Sequence, residues 1–262
     1  MYSELNGRIA VVTGAGSGIG REICERFARE HMTIVATGRR SNVEQTMELV
    51  RQIDPGNKGM PVIMDVTDPD SVQSAVKLIV KEYGRVDVLV NNAGIPHEFM
   101  RAIDIPNDVA KHLMDVNFMG TFYCSKYFGQ QMREQKFGNI INIGSWSGKT
   151  GSKFFGLYCA SKAAMHVFAQ SMALEMADYG VRVNTVCGGA IDGNRLKTSF
   201  ESECVANGIT FEEHAQNIIN MIPLHRFGTG EDMANMATFL ISDNASYITG
   251  QAINICGGIE FH

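Results

Sequence analysis

The sequence lacks the features that mark membrane, metal-binding and disulfide-rich proteins. None of its apolar runs is long enough to cross a bilayer and no apolar signal core precedes Thr13, so we expect neither a membrane partner nor a leader. The six cysteines form no CxxC pair, which favours reduced thiols and a cytoplasmic location. The seven histidines show no metal-ligand spacing, so we expect no metal site. A net charge of -5 argues against nucleic acid as a partner.

Short runs rich in apolar and β-branched residues alternate with helical patterns along the chain. The strand-like runs cover residues 8–13, 32–37, 61–65, 86–91, 139–143, 181–186 and 252–255. Long helical patterns cover residues 70–83, 106–133, 157–179, 199–220 and 231–242. This alternation predicts an α/β fold with a parallel seven-stranded sheet and helices on both faces. No linker or shift in composition interrupts it, so residues 1–262 are expected to form a single domain.

A glycine-rich turn follows the first predicted strand and precedes a helical pattern. Glycines in this position let the backbone approach a pyrophosphate, and the helix N-terminus faces the negative charge of that group. The order of strand, glycine turn and helix is the context in which such a motif is informative. We therefore predict a dinucleotide site that includes Gly14, Ser17, Gly18, Ile19 and Gly20.

An acidic residue is missing where a site for NAD usually carries one. Residues 34–41 contain no Asp or Glu, although an acid about 20 residues after the glycine motif commonly binds the ribose 2′-hydroxyl. Arg39 and Arg40 occupy this place instead, and guanidinium groups suit a 2′-phosphate. NADP is therefore the expected cofactor, with NAD as the alternative. Ser41 and Glu44 are spaced as a capping box for the next helix.

Tyr158 and Lys162 are four residues apart in a helical pattern, so their side chains share one helix face. A cation about 4 Å from the phenol, at an effective dielectric constant of about 20, stabilises the phenolate by roughly 4 kcal/mol. This effect lowers the pKa of a tyrosine toward neutrality, where general acids and bases work best. The pair is common by chance, and its meaning depends on the rest of the chain.

Five motifs in order resemble the short-chain dehydrogenase/reductase family. They are Thr13-Gly14-x-x-x-Gly18-Ile19-Gly20, Asn91-Asn92-Ala93-Gly94, Asn117, Ser145 and Tyr158-x-x-x-Lys162. The resemblance extends from Leu5 to Gly258. It implies a Rossmann-type doubly wound fold, a nicotinamide cofactor at the carboxyl ends of the strands, and a small carbonyl or alcohol substrate.

The resemblance also implies roles for individual residues. Tyr158 would be the general acid and base, with Lys162 lowering its pKa and binding the nicotinamide ribose. Ser145 would donate a hydrogen bond to the substrate oxygen, and Asn117 would help to hold a water beside Lys162. The implied cofactor contacts are Asn91, Ala93, Gly94, Asp65, Val66 and Ile191, with Arg39 reading the 2′-phosphate. Family members are commonly tetramers, so a homotetramer or a homodimer is expected.

The chain departs from the family pattern after the sixth predicted strand. Gly188 replaces the usual proline and Gly193 replaces the usual threonine, whereas Ile191 is retained. Glycine makes such a turn more flexible, and the loss of the threonine removes a hydroxyl contact to the cofactor. We therefore expect weaker cofactor binding and a mobile lid over residues 190–220.

The substrate is left open by the sequence. The expected pocket rim comprises residues 95–100, 146–155 and 190–220, and it mixes Trp146, Phe154 and Phe155 with Lys149, Lys153, His97 and Glu98. Polyols or sugars, 3-oxoacyl thioesters and steroid-like ketones all remain candidates. A nucleotide-sensing binding protein on the same fold is the alternative from another functional class.

Overall fold

One parallel sheet forms the centre of the molecule. The computed structural model describes residues 2–262, except for the side chains of residues 195 and 205–207. Within this part of the chain the sheet has seven strands in the order β3-β2-β1-β4-β5-β6-β7, and every strand pair is parallel. The strands are β1 (Ile9–Val12), β2 (Thr33–Gly38), β3 (Met60–Ile63), β4 (Val88–Asn91), β5 (Gly138–Ser145), β6 (Val181–Gly188) and β7 (Ala252–Ile255). The predicted fold class is confirmed.

Helices cover both faces of the sheet. They are α1 (Gly18–Ala28), α2 (Asn42–Ile53), α3 (Pro69–Tyr83), α4 (Asn107–Met114), α5 (Gly120–Gln135), α6 (Gly156–Met176), α7 (Asn194–Asn207), α8 (Phe211–Met221) and α9 (Gly230–Ile241). Buried side chains of α1, α2 and α9 form one hydrophobic core, and those of α3, α5 and α6 form the other. Because both faces are covered, β1, β4 and β5 are buried along their whole length, which explains the apolar run of β1 and the largely apolar run of β4.

The strand order reverses direction between β1 and β4. The chain runs from β1 outward to β2 and β3, and then returns to the other side of β1 with β4. Connections leave in opposite directions at such a point, and a crevice forms outside the carboxyl ends of the strands. The glycine turn after β1 and the Asn91–Gly94 motif after β4 therefore meet at this crevice.

Three local features differ from the sequence prediction. The helical pattern predicted over residues 199–220 is divided into α7 and α8. The predicted capping box of Ser41 and Glu44 is absent: the Ser41 side chain caps nothing, and the Ser41 backbone is already helical instead of extended. The Glu44 amide instead donates to the Ser41 carbonyl. The predicted helix over residues 106–133 is divided into α4 and α5 by a π-helical turn at Asp115–Met119.

None of the helices among residues 2–262 has the length and apolar character that a membrane span requires.

Candidate active site

A cleft with a volume of about 570 Å3 lies at the carboxyl ends of β1, β4, β5 and β6. The α7–α8 segment closes its far side. Nine predicted site residues line it, namely Gly14, Ser17, Gly18, Ile19, Ala93, Gly94, Ser145, Tyr158 and Ile191. The described lining does not include Gly20, Arg39, Arg40, Asp65, Val66, Asn91, Asn117 or Lys162.

The glycine turn offers an open helix N-terminus to the cleft. Gly14 and Gly18 have positive φ angles of 62° and 54°, a conformation that glycine adopts without strain. Space is open around the position of a Cβ on Gly18. Ser17 precedes α1 but its side chain forms no capping hydrogen bond, so the first amides of this helix are available to an anion. These features fit the pyrophosphate of a dinucleotide.

Asn92 holds this turn against the end of β4, a role that the sequence prediction did not assign. Its amide group donates to the carbonyls of Thr13 and Gly14 at 2.8 and 3.1 Å. The Thr13 hydroxyl in turn accepts hydrogen bonds from the amides of Asn92 and Ala93, both at 3.0 Å. A Cβ on Gly20 would lie 2.4 Å from Nδ2 of the Asn92 side chain, so glycine is required there for this close approach.

The predicted catalytic side chains converge from β5 and α6. Ser145 ends β5, and Tyr158 lies in the first turn of α6 with Lys162 one turn later. The Lys162 ammonium lies 5.8 Å from the centre of the Tyr158 ring and donates to the Ile143 carbonyl at 2.8 Å. The Lys162 residue is only 2% exposed, so its charge acts in a poorly solvated region where electrostatic interactions are strong.

Aromatic rings cover the tyrosine on its cleft side. The Phe155 ring stacks on Tyr158 with centroids 4.5 Å apart, and Phe99 stacks on Phe155 at 4.8 Å. Offset stacking of this kind fixes ring orientation and keeps water from the faces of the rings. The Tyr158 ring is therefore held in a defined orientation in the cleft that Ser145 also lines.

Asn117 ties three elements together behind the cleft. Its Oδ1 accepts from the Ile95 amide at 2.7 Å, and its Nδ2 donates to the Ile95 carbonyl at 2.9 Å and to Ser161 Oγ at 3.0 Å. A Cβ on Gly94 would lie 3.3 Å from Asn117 Oδ1 and 3.5 Å from Lys162 Nζ. The side chain lies in the π-helical turn and is fully buried. Its hydrogen bonds hold Ile95 and Ser161 in place behind the cleft.

His166 lies one turn beyond Lys162 and packs against the strand that carries Ser145. A Cβ on Gly144 would lie 2.6 Å from His166 Nε2, and Cys187 Sγ is 3.5 Å from the same nitrogen. Burial, together with the smaller effects of the Lys162 and Lys149 charges, lowers the pKa of His166 to about 4. Burial raises the pKa of Cys187 to about 11. Both groups are therefore neutral near pH 7.

The residues predicted to bind the adenosine half of the cofactor surround the end of β2 and β3. Arg39 and Arg40 are exposed directly after β2, and none of the ion pairs in the described chain involves them. Asp65 Oδ1 accepts from the amide and hydroxyl of Thr67 at 2.9 and 2.8 Å, which closes a local turn. Val66 is buried against α5, where a Cβ on Gly120 would lie 2.7 Å from a Val66 methyl group.

The Asn91 side chain points into the protein instead of toward the cleft. Its amide donates to Ser125 Oγ and to Asn142 Oδ1, both at 2.9 Å, and the residue is buried. The alternation of a strand explains this direction, because Asn91 is the last residue of β4 and its neighbour Asn92 faces the opposite way. The contribution of the Asn91 side chain is to join β4, β5 and α5.

The two unusual glycines have different surroundings. Gly188 ends β6, where a Cβ would lie 3.1 Å from Met233 Cε and 3.2 Å from Ile191 Cγ1, so it is closely packed. Gly193 precedes α7 with φ of 146°, a region that is almost restricted to glycine. A threonine at position 193 would therefore need a different backbone. Ile191 forms an isolated parallel bridge with Gly228, which anchors this loop.

The α7–α8 segment is held by a cluster of rings. Phe200 on α7 is buried, with its ring centre 4.5 Å from His214, 5.8 Å from Phe211 and 5.9 Å from Phe227. His214 Nε2 lies 2.9 Å from Glu203 Oε2. The sequence prediction missed this pair because its members are eleven residues apart on two helices, and no periodic pattern connects them.

Only some of the residues predicted to form the pocket rim line the cleft in the described structure. Trp146 and Phe155 line the cleft, whereas the described lining does not include Phe154, Lys149, Lys153, His97 or Glu98. Lys149 instead donates to the Ala252 carbonyl at 2.6 Å. The basic character that the rim segments have in sequence is therefore directed away from the cavity.

Fold, glycine turn and buried tyrosine–lysine pair together define a nucleotide-dependent oxidoreductase of the α/β class. The chain belongs to the short-chain dehydrogenase family, whose model matches residues 8–203. It is an oxidoreductase of that family, acting on the CH–OH or C=O group.

Three known proteins illustrate the similarity. The 3-oxoacyl-[acyl-carrier-protein] reductase FabG of Haemophilus influenzae is 32% identical over 255 residues, which are 97% of this chain and 99% of that protein. The crystal structure of NAD+-bound xylitol dehydrogenase has a TM-score of 0.94 and 29% identity, and covers 97% of this chain and 100% of that one. The structure of an actinorhodin polyketide ketoreductase variant with NADPH has a TM-score of 0.93 and 30% identity, with 98% of both chains covered.

Proposed function

We propose that this protein is an NADP(H)-dependent oxidoreductase that interconverts a carbonyl group and a secondary alcohol, with Tyr158 as the general acid and base. The observation that carries the proposal is the buried Lys162 ammonium, 5.8 Å from the centre of the Tyr158 ring, with Tyr158 and Ser145 facing one cleft. A bound nicotinamide supplies hydride in reduction and accepts it in oxidation.

The side chains divide the remaining work. The Ser145 hydroxyl donates a hydrogen bond to the substrate oxygen and stabilises the negative charge that develops on it. The Tyr158 hydroxyl gives its proton to that oxygen in reduction and takes it back in oxidation. Lys162 stabilises the tyrosinate that remains, and its cation binds the nicotinamide ribose. Asn117 keeps the loop at Gly94 at a fixed distance from Lys162, and it holds a water near the Lys162 ammonium.

Contacts for the cofactor are proposed along the edge of the sheet. The open N-terminus of α1 would hold its pyrophosphate. The exposed guanidiniums of Arg39 and Arg40 suit a 2′-phosphate, because the described chain provides no ion-pair partner for them. Asp65 and Val66 contact the adenine, and Ile191 offers backbone atoms to the carboxamide. The relative solved with NADPH supports this choice of cofactor.

The test is a change in nicotinamide absorbance with a panel of ketones, secondary alcohols and polyols, using NADP(H) and NAD(H) separately. Tyr158→Phe should reduce turnover at least about 100-fold while cofactor binding persists, because only proton transfer is lost. Arg39→Ala should weaken NADPH far more than NADH, and Arg133→Ala, an exposed arginine on α5, is the matched control. Turnover that survives in Tyr158→Phe would contradict the mechanism.

A second candidate is an NAD(H)-dependent polyol dehydrogenase, which the similarity to NAD+-bound xylitol dehydrogenase favours. Equal effects of Arg39→Ala on both cofactors would select it. A nucleotide-sensing role is the outcome if NADPH binds tightly and the whole panel is silent.

We also propose that the enzyme is a homotetramer in a reducing compartment such as the cytoplasm. Leu174 and Val167 on α6 are 81% and 63% exposed, which is unusual for large apolar side chains on a long helix. All six cysteines are free thiols. Sedimentation or light scattering that gives a clean monomer would remove the tetramer.

A further inference from the structure

The turn that follows Ser145 rests on the ring of His166. Ser145 ends β5, and the 3-10 helical turn Trp146–Gly148 comes directly after it. A Cβ on Gly144 would lie 2.6 Å from His166 Nε2, and a Cβ on Gly148 would lie 2.6 Å from His166 Cε1. The imidazole therefore fills the space that two glycines leave, one before and one after the serine.

The same turn fixes the hydroxyl group of Ser145. Its Oγ accepts a hydrogen bond from the Ser147 amide at 3.2 Å, so the serine caps the turn that it begins. A hydroxyl oxygen that accepts in this way keeps its own hydrogen for donation. Ser145 lines the cleft, where the proposed function requires it to donate to a substrate oxygen. The place of this hydroxyl therefore depends on where the Ser147 amide lies.

His166 connects this turn to the helix that carries Tyr158. Both residues belong to α6, and His166 is only 6% exposed. Its Nε2 lies 3.5 Å from Cys187 Sγ on β6. Gly148 packs on the same helix, because a Cβ there would also lie 2.9 Å from the backbone carbon and from the Cβ of Lys162. The ring thus acts as a spacer between α6 and the end of β5.

We propose that His166 is a positioning residue that keeps the Ser145 hydroxyl at a fixed place in the cleft it shares with Tyr158. The inference rests on the proposed function, in which both hydroxyl groups meet one substrate oxygen. The described cleft lining does not include His166, so the ring acts through Gly144 and Gly148. Because a displacement of about 1 Å in a reacting group can lower a rate about 100-fold, loss of the ring lowers kcat and leaves KM nearly unchanged.

Amide hydrogen exchange of the full-length protein, without substrate or cofactor, tests the contact itself. His166→Ala should make the amides of residues 144–149 exchange about tenfold faster. Met172→Ala is the matched control, because Met172 is a buried residue of the same helix that packs beside Gly129 of α5. A Cβ on Gly129 would lie 3.4 Å from Met172 Cε. This control should leave exchange in residues 144–149 at the wild-type rate.

Steady-state kinetics, with a substrate that the absorbance panel identifies, tests the role in the reaction. His166→Ala should lower kcat about 20-fold and keep KM within about twofold of wild type. His166→Gln nearly retains the length and volume of the side chain, so it should lower kcat only about fivefold. It also provides the measurement if His166→Ala does not fold. Met172→Ala should keep kcat within about twofold of wild type, although it removes a buried side chain of α6.

A double-mutant cycle with Ser145→Ala separates positioning from general packing. The kcat of Ser145→Ala, expected about 100-fold below wild type, is measured at high enzyme concentration. If His166 acts through Ser145, His166→Gln should lower kcat less than about twofold in this background.

The outcomes separate this inference from the proposed function. An equal loss of kcat in both backgrounds, a rise in KM at constant kcat, or unchanged exchange at residues 144–149 overturns the role of His166. A wild-type protein that turns over no member of the panel counts against the oxidoreductase proposal, while the exchange measurement still decides whether the ring holds the turn of Ser145.

Discussion

The two walls of the cleft are built by different means. On the wall formed by β4, β5 and α6, buried hydrogen bonds join elements that are far apart in sequence, as between Asn117 and Ile95 or between Lys162 and Ile143. On the wall formed by α7 and α8, the stabilising contacts are local. Thr210 and Glu213 form a capping box at the start of α8, and the rings around Phe200 hold the two helices together.

Under the proposed function, this difference predicts a separate task for each wall. Chemistry requires reacting groups at fixed distances, and the end of a parallel sheet provides such a frame. Selection among substrates requires only a shape and a few polar groups, which two surface helices can supply. Changes in the first wall should therefore lower kcat, and changes in the second wall should mainly raise KM.

The largest effect is expected from Asn117→Ala. The variant leaves both backbone groups of Ile95 without their partner, and each unpaired buried group costs about 1–3 kcal/mol. The loop at Gly94 would shift beside Lys162, so kcat should fall at least about 100-fold. Initial rates and urea denaturation measure the two consequences. Gln131→Ala, which removes one hydrogen bond to Gln135 within α5, is the control. A kcat within about threefold of wild type would contradict the division of tasks.

Phe200→Ala tests the other wall. Removal of a buried phenylalanine lowers the free energy of unfolding by about 3–5 kcal/mol, and here the lost contacts are those that pack α7 on α8. We expect KM for the substrate to rise about tenfold or more, with a smaller change in kcat. Tyr247→Ala removes a fully exposed aromatic ring and serves as the control. If kcat falls while KM stays constant, the α7–α8 segment takes part in the chemistry. The two walls would then not have separate tasks.

His166→Gln probes the first wall through pH. Burial holds the pKa of His166 at about 4 in the folded state, against an ordinary value near 6.5. Between these values the unfolded chain binds a proton that the folded chain does not, so wild-type stability decreases as pH falls from 6.5 to 4. The loss amounts to roughly 3 kcal/mol at most. Chemical denaturation at several pH values should give a flatter profile for His166→Gln.

The exposed His112 provides the control for that profile. The curve for His112→Gln should run parallel to the wild-type curve. If the His166→Gln curve does so as well, the pKa of His166 does not change on folding and the account of its burial is wrong.

Gly193→Thr restores the residue type that the family usually has at this place. Because Gly193 has φ of 146°, a threonine should cost about 1–3 kcal/mol locally. The variant should bind cofactor more weakly, although it regains a hydroxyl group. Fluorescence titration of Trp146 with NADP+ measures the change, and Gly151→Thr, at a glycine with open space around it, is the control. Tighter binding would mean that the loop adopts another conformation with cofactor.

The smallest effect is expected from Thr210→Ala. Loss of the capping box should destabilise α8 by about 1 kcal/mol. Hydrogen exchange of the α8 amides should become about fivefold faster, with exchange in α6 unchanged. Thr198→Ala, at an exposed threonine whose hydroxyl donates to the Asn194 carbonyl within α7, should leave exchange unaltered. Faster exchange throughout the protein would show that the two walls are coupled.

The sequence predicted what depends on chain order and periodicity. Buried β-branched runs indicated the strands, and the four-residue spacing of Tyr158 and Lys162 indicated that these two side chains share one helix face. The place of Ser145 beside them came from the family resemblance. Chain order predicts which segments are neighbours because the carboxyl ends of parallel strands meet at one edge of the sheet. The roles proposed for these residues stay predictions.

Features that depend on the direction of one side chain were not predictable. Asn91 and Asn92 are identical in type, and only the pleat of β4 determines which one holds the glycine turn. The backbone angles of Ser41 removed the expected capping box. The Glu203–His214 contact depends on how α7 packs against α8, and local sequence does not encode it.

The π-helical turn at Asp115–Met119 rotates the side-chain directions of α5 relative to those of α4 around the helix axis. Its Gly120 amide bonds to the Asp115 carbonyl, five residues back, so this turn contains one residue more than an α-helical turn. Each residue of an α-helix advances the side-chain direction by about 100°. The extra residue lets Asn117 face Ile95 and Ser161 behind the cleft while Cys124, Phe128 and Met132 face the core. A homologue with one residue fewer here would keep its hydrophobic core or its asparagine in place, but not both.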